Sequence, residues 1–284
     1  MGKTYDERSR IVMWLHVEPT SRCNAWCPSC VRNKNGYGLA DFIIEDLDPL
    51  ILEQTIQDFN ITSVQLCGNY GDPCAAKNID ELLGKLDNVQ RLQIHTNGSL
   101  RKPEWWAGLV ERFSHLEQFD VWFALDGIGD VHSYYRQGTN YDRIIENAQA
   151  YIDSGGDAVW QFIPFAHNEH QIKDCMRLSQ QMGFKRFEFV RNARYKKNSF
   201  HYRTGERLDI KPWSQDTKFN RTSKLKDYVE VKNCMHLDIP SVFLSATGVV
   251  SPCCYMCNID IKSVDINAEF SNNVYRKVCL RNCG

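Results

Sequence analysis

The stretch "VMWLHVEPTSRCNAWCPSC", residues 12–30, runs from a β-prone hexapeptide into a loop that carries Cys23, Cys27 and Cys30. The spacing is C-x₃-C-x₂-C, three thiols within eight positions and no fourth beside them. A structural zinc site needs four protein ligands close together. His16 is near in sequence, but it belongs to the strand before the loop. Three thiolates on one loop suit three irons of a cubane [4Fe–4S] cluster and leave the fourth iron open to an exogenous ligand. On spacing alone, zinc and iron–sulfur both remain candidates.

Downstream, short β-rich runs alternate with amphipathic helical patterns. The predicted strands are 12–17, 62–67, 91–96, 119–125, 158–165 and 186–191; the predicted helices are 48–59, 78–88, 103–113, 141–155 and 170–184. Pro103 opens one helix, and Gly155 and Gly183 close two others, where these residues suit helix ends. Strand–helix alternation of this kind predicts an α/β fold with a parallel sheet and right-handed crossovers. Periodicity admits an open doubly wound sheet or a barrel short of eight units. The predicted organisation is an N-terminal arm (1–11), the α/β unit (12–194), a polar, basic connecting or substrate-facing segment (195–232) and a cysteine-rich C-terminal part (233–284).

The bulk numbers narrow the function. A chain of 284 residues with 43% hydrophobic content can bury one large domain, or one large and one small. A formal net charge of −1 gives no long-range pull toward nucleic acid or an anionic membrane. No apolar run has the length of a spanning helix, and the charged start has no signal-peptide core, so a cytoplasmic protein is expected. Twelve cysteines are then too many to pass unexplained. Three lie at 23–30 and six at 234–283; Cys67, Cys74 and Cys175 lie between. Two dense groups predict two metal sites.

With its cysteine loop placed after the first of six strands, the sequence resembles the radical S-adenosylmethionine (SAM) enzymes. The resemblance implies a partial (βα)₆ TIM-like barrel in which Cys23, Cys27 and Cys30 hold a [4Fe–4S] cluster with SAM at its open iron. It implies reductive cleavage of SAM to methionine and a 5′-deoxyadenosyl radical, with an electron donor such as a flavodoxin or ferredoxin. "CGNYGDP" (67–73) is similar to the family's "GGEP" segment, and makes Gly68, Asn69, Tyr70, Gly71 and Asp72 expected SAM contacts. Gly68 and Gly71 are read as letting the backbone approach a ligand closely. "HTNGS" (95–99) offers Thr96 and Asn97, and "ALDG" (124–127) offers Asp126, at strand ends where similar enzymes contact SAM. "YYRQGTNYDRIIENAQ" (134–149) resembles the R-x-G-x-x-(F/Y)-D-x-(I/V) stretch of the peptide-modifying branch. Its Arg136 suits a bidentate carboxylate partner. The chain departs from the family at Ser29, where an aromatic residue often precedes the third cysteine; Trp26 stands before the second cysteine instead.

The second group reads C-x₁₃-G-x₄-C from Cys234 through Gly248 to Cys253, with "SVFLSATGVVSPCC" patterned as a β-hairpin. This resembles the opening of SPASM and twitch domains, which bind auxiliary [4Fe–4S] clusters. The shorter, twitch-like form implies one auxiliary cluster on Cys234, Cys253, Cys279 and Cys283, with Cys257 or Cys254 as substitutes. A zinc knuckle is the competing reading, because all-cysteine zinc sites share such spacings. The resemblance implies hydrogen abstraction from a peptide, protein or small-molecule substrate, in a net oxidation or crosslink that uses the auxiliary cluster. A redox-neutral epimerase or mutase is the alternative within the family. Outside it stand a non-catalytic zinc scaffold and a nucleic-acid binder using the basic 194–232 stretch, which the near-neutral charge disfavours. Arg191 and Arg194 are placed at the barrel mouth, and His95 and Asp126 are positional candidates for proton transfer.

Overall fold

The computed structural model describes residues 14–30, 32–34, 37–38, 43–190, 199–214 and 241–254. Six strands form the frame: β1 (Trp14–Val17), β2 (Ser63–Leu66), β3 (Arg91–Thr96), β4 (Gln118–Ala124), β5 (Asp157–Phe162) and β6 (Arg186–Phe189). Each pairs in parallel with the next. The crossovers carry α1 (Pro49–Asp58), α2 (Ile79–Gly84), α3 (Pro103–Arg112), α4 (Asp130–Tyr135), α5 (Tyr141–Asp153) and α6 (Ile172–Met182). This is the predicted partial (βα)₆ barrel.

Local chemistry explains the boundaries. Pro49 and Pro103 occupy first turns, where the missing N–H costs nothing. The Asp48 carboxylate caps α1 by accepting from Leu50 N–H at 2.8 Å, and the Asn140 side chain caps α5 by accepting from Arg143 N–H at 3.0 Å. Gly183 ends α6 at φ 90°, the left-handed turn that glycine adopts without strain.

The strands have two unlike faces. Leu15, Val17, Val64, Leu66, Leu92, Ile94, Val121, Phe123, Trp160 and Phe162 are buried in one core with helix residues such as Leu52, Leu82, Trp106 and Tyr151. Each such side chain is worth roughly 1.5–3 kcal/mol. A one-residue slip would turn the whole row away from the helices, so this face fixes the register. The opposite face carries His16, Gln65, Gln93, His95 and Gln161, all half-buried. The barrel interior is therefore polar where the helix layer is apolar.

Three features go beyond the predictions. The helix α4 follows Gly129, at φ 58°, and six residues are too few to show a helical period. The described part of the segment predicted as irregular forms an antiparallel ribbon of β7 (Ser199–Phe200) and β8 (Arg207–Leu208). Its Leu208 and Ile210 pack with Ala25, Cys27, Tyr135 and Phe165, so this segment covers the cysteine loop. The predicted C-terminal hairpin is β9 (Ser241–Leu244) and β10 (Val250–Ser251), turning through Gly248 at φ 80°. It extends the barrel sheet itself, because β9 pairs in parallel with β1. The sheet order is β10-β9-β1-β2-β3-β4-β5-β6.

Candidate active site

All six frame strands point their C-terminal ends to one edge, so their following loops gather there. A cavity of about 360 Å³ is lined by residues from each of them: Cys23 and Cys27 after β1, Gly68 after β2, Thr96 at the end of β3, Ala124 at the end of β4, Ile163 after β5 and Val190 after β6. One cavity can touch all six loops because the sheet curls around it. Its size suits a small organic ligand.

Cys23, Cys27 and Cys30 share one wall of this cavity. The chain turns between the last two, with Cys30 N–H donating to Cys27 O at 3.0 Å. Ala25, Tyr135, Phe165 and Ile163 make the surroundings apolar. Burial pushes the Cys27 thiol up to about 11, with the nearby Arg136 guanidinium opposing it, and pushes Cys23 higher still. Both are thiols near neutral pH, and loading a metal must release their protons. Among the described residues, no three His, Cys, Asp or Glu side chains are drawn onto one point as a closed metal site. The donor set nonetheless fits an iron–sulfur cluster, with three thiols lining one cavity beside apolar side chains and no fourth cysteine in the loop.

The loop after β2 locks onto the cysteine loop. Asp72 N–H donates to Arg22 O at 2.7 Å. The buried Glu18 carboxylate accepts from Tyr70 N–H at 2.6 Å and Gly71 N–H at 3.2 Å. A Cβ on Gly71 would stand 1.7 Å from Thr20 O, and one on Gly68 would stand 2.3 Å from Gly71 O. The close approach these glycines permit is to the chain itself. The Gly71→Ala variant is thus expected to push the two loops apart and weaken cluster retention roughly 10–100-fold, the usual effect of losing ligand support. Iron content after chelator challenge measures it; retention equal to wild type would refute the coupling.

Asp72 is buried and acts as a clamp rather than as an open ligand. Its carboxylate accepts from Thr96 Oγ1 at 2.9 Å, Asn97 N–H at 2.6 Å and Cys74 N–H at 3.0 Å. Burial raises its pKa, and these donors oppose the rise. The Asn97 side chain donates to Asn24 Oδ1 at 2.9 Å, tying β3 to the cysteine loop.

Asp126 and Arg136 form the second clamp. Asp126 is fully buried; Oδ2 accepts from Arg136 Nε at 2.6 Å and Oδ1 from Ile163 N–H at 2.7 Å. Arg136 Nη1 lies 4.0 Å from Cys27 Sγ, so this arginine links the carboxylate to the cysteine loop. The expected partner of Arg136 was a ligand carboxylate; its Nε is already committed to Asp126. His132, on α4, supports the pair by accepting from Asp126 N–H at 3.2 Å through Nδ1. Burial holds that imidazole neutral, its pKa lowered to about 3.

His95 faces the cavity from β3, stacked on Trp122 at 4.6 Å, with Nδ1 3.4 Å from Gln161 Nε2. Burial lowers its pKa to about 3, so the imidazole is neutral, and its Nε2 has no partner among the described residues. Trp26 does not line the cavity; it stacks on Tyr202 at 5.7 Å, and the Arg32 guanidinium lies over the Trp26 ring, 5.7 Å from its centroid. Asn69 donates to Cys254 O at 2.8 Å, bringing the loop after β2 against the end of the C-terminal hairpin. Cys253 is buried there. Cys234, Cys257, Cys279, Cys283, Arg191 and Arg194 lie outside the described residues. Glu18, Asn24 and His132 were missed by sequence reasoning. A lone acid after an apolar strand was the one signal for Glu18.

No family model matches the chain. In sequence it is similar to a probable GTP 3′,8-cyclase of Methanothermobacter thermautotrophicus, 24% identical over 183 residues, 63% of this chain and 57% of that one. A GTP 3′,8-cyclase of Syntrophomonas wolfei is 24% identical over 127 residues, 43% of this chain and 37% of the relative. The chain thus matches 57% or less of the length of these relatives. In structure it is similar to Streptococcus suis SuiB bound to S-adenosylmethionine, with TM-score 0.61, 16% identity, and coverage of 94% of this chain and 65% of the other. Native anSMEcpe with bound AdoMet gives TM-score 0.62, 16% identity, 94% and 82%. At such identities the structural likeness shows the fold. Fold and three-cysteine loop together are those that the radical SAM resemblance implies, and these likenesses support that class.

Proposed function

We propose that the protein is a radical SAM enzyme that abstracts hydrogen from a peptide or protein substrate in a net oxidation or crosslink. The carrying observation is the cavity in which the Cys23, Cys27 and Cys30 thiols, Cys27 buried and the other two half-buried, meet the loops of all six frame strands. Cys23, Cys27 and Cys30 would hold the cluster, and with SAM bound it would supply radical hydrogen abstraction from an unactivated carbon. Gly68, Asn69, Tyr70, Gly71, Asp72, Thr96, Asn97, Asp126 and Arg136 would form the SAM side of the cavity; the Asp72 and Asp126 clamps keep that wall in place. The β7–β8 ribbon excludes water from the cysteine loop, and His95 offers a fixed polar contact to the substrate. A peptide substrate is favoured by the similar folds of SuiB bound to precursor peptide SuiA and anSMEcpe with bound peptide.

An auxiliary [4Fe–4S] cluster on Cys234, Cys253, Cys279 and Cys283, in a twitch-like C-terminal domain (233–284), would take the electron left after hydrogen abstraction. The Asn69–Cys254 contact supports this, since it sets the start of that cysteine run beside a cavity residue. A flavodoxin or ferredoxin would supply the first electron. No helix among the described residues is long and apolar enough to cross a membrane, which is compatible with the cytoplasmic placement we favour. The sequence likeness to GTP 3′,8-cyclases favours a second reading, a redox-neutral cyclisation of a small molecule.

Anaerobically reconstituted protein with SAM and dithionite is expected to release 5′-deoxyadenosine slowly, and Cys27→Ala none. Absence of 5′-deoxyadenosine from a fully loaded wild type would sink the proposal. Products from GTP, set against those from candidate peptides, separate the two readings. A folded Cys279→Ala/Cys283→Ala variant that cleaves SAM yet forms no oxidised product would support the auxiliary electron acceptor. Full product from that variant would favour the redox-neutral reading.

A further inference from the structure

Ser29 stands between Cys27 and Cys30, inside the turn closed by the Cys30 N–H to Cys27 O bond. Its side chain is fully buried and lines the same cavity as the three cysteines. Its Oγ has no hydrogen-bond partner among the described residues. An unpartnered buried hydroxyl costs about 1–3 kcal/mol, and native folds seldom carry that cost without a bound group to relieve it.

The acceptors nearby in the cavity are largely taken. The Asp72 carboxylate is held by Thr96, Asn97 and Cys74, and the Asp126 carboxylate by Arg136 and Ile163. The Cys27 carbonyl accepts from Cys30. The hydroxyl is followed directly by Cys30 and comes two residues after Cys27. A serine hydroxyl can donate to a thiolate or to an inorganic sulfide once the thiols are bound to iron. Trp26, the nearest aromatic in the loop, is turned to Tyr202 and does not fill the space.

We propose that the Ser29 hydroxyl donates a hydrogen bond to a sulfur of the cluster held by Cys23, Cys27 and Cys30, and so raises the cluster's reduction potential. The proposal rests on the cluster reading of the preceding section. Reduction adds one electron, from an external low-potential donor, and no proton. The reduced cluster is the more negative state, so its sulfurs are the better acceptors. A net bond of ordinary strength changes the balance between oxidised and reduced cluster about fivefold. For a one-electron couple at about 59 mV per decade, that is about 40 mV.

The test compares wild type, Ser29→Ala and Ser29→Thr, each reconstituted with iron and sulfide and titrated with dithionite without SAM. The reduced cluster is followed by electron paramagnetic resonance. Ser29→Ala is expected to hold the same iron with a midpoint about 40 mV lower, and Ser29→Thr to stay near wild type. After exchange into D₂O, the wild-type cluster should show a coupled deuteron that Ser29→Ala lacks. If Ser29→Ala does not load iron, Ser29→Gly takes its place with the same two readouts. An unchanged midpoint and unchanged deuteron coupling in a loaded variant would overturn the proposal. So would a loss of SAM affinity with both cluster readouts unmoved, which would assign the hydroxyl to SAM. A wild type that never assembles a cubane would instead bring down the functional reading, and this inference with it.

Discussion

The triple variant Cys23→Ala/Cys27→Ala/Cys30→Ala is expected to lose SAM cleavage to the level of a protein-free control. It should also keep only about four of roughly eight irons, if two cubanes are present in the wild type. The large effect follows from chemistry: Cys67 also lines the cavity, but one thiolate cannot replace three. The three thiols also carry little of the fold. They sit in a small cluster with Ala25, Tyr135 and Phe165, apart from the main core, so the apo variant should unfold near the wild-type apo protein. Iron and sulfide analysis with a thermal melt checks both halves. Zinc as the sole metal in the wild type would end the account; about four irons in the wild type would remove the auxiliary cluster alone.

Asp126→Ala is expected to cost about 3–5 kcal/mol of stability, because it leaves the Arg136 charge buried without its partner. It also strips the acceptor from Ile163 N–H. Asp126→Asn keeps an acceptor for that N–H and should lose less. Urea unfolding of the apo proteins measures the difference. A loss below about 1 kcal/mol for Asp126→Ala, the range of an exposed pair, would show that the clamp is not what holds the loop after β4. If it is, the variant should also load iron poorly, since Arg136 reaches Cys27 Sγ.

The strands were legible because one face of each is continuously apolar against the helix layer, and Arg91–Thr96 was bounded to the residue. Helix ends at Pro103, Gly155 and Gly183 were legible because proline suits a first turn and glycine takes the positive φ that follows a helix. The cysteine loop and the segments at 67–73, 95–99, 124–127 and 134–149 were legible as motifs, and the cavity brings residues from each of them together. What sequence could not show is who holds whom. Glu18 meets Tyr70, and Asn24 meets Asn97, across gaps that no local pattern encodes. Gly71 was read as room for a ligand, whereas the space it leaves is filled by Thr20. The pairing of β9 with β1 was hidden for the same reason, since a hairpin pattern does not name the strand it joins.

That last pairing imposes an order of assembly on the chain. Trp14 of β1 meets Ser241 of β9, more than two hundred residues later. During synthesis β1 emerges well before β9, and that side of it stays an open edge until residues 241–244 have left the ribosome. Contacts this distant along the chain form late, because loop closure must be met before they contribute. The cysteine loop leads directly out of β1, and the C-terminal hairpin ends against Asn69 beside it. Iron and sulfide delivered before β9 docks would therefore meet a loop whose neighbouring strand still has one open side, and delivery afterwards would meet a finished wall.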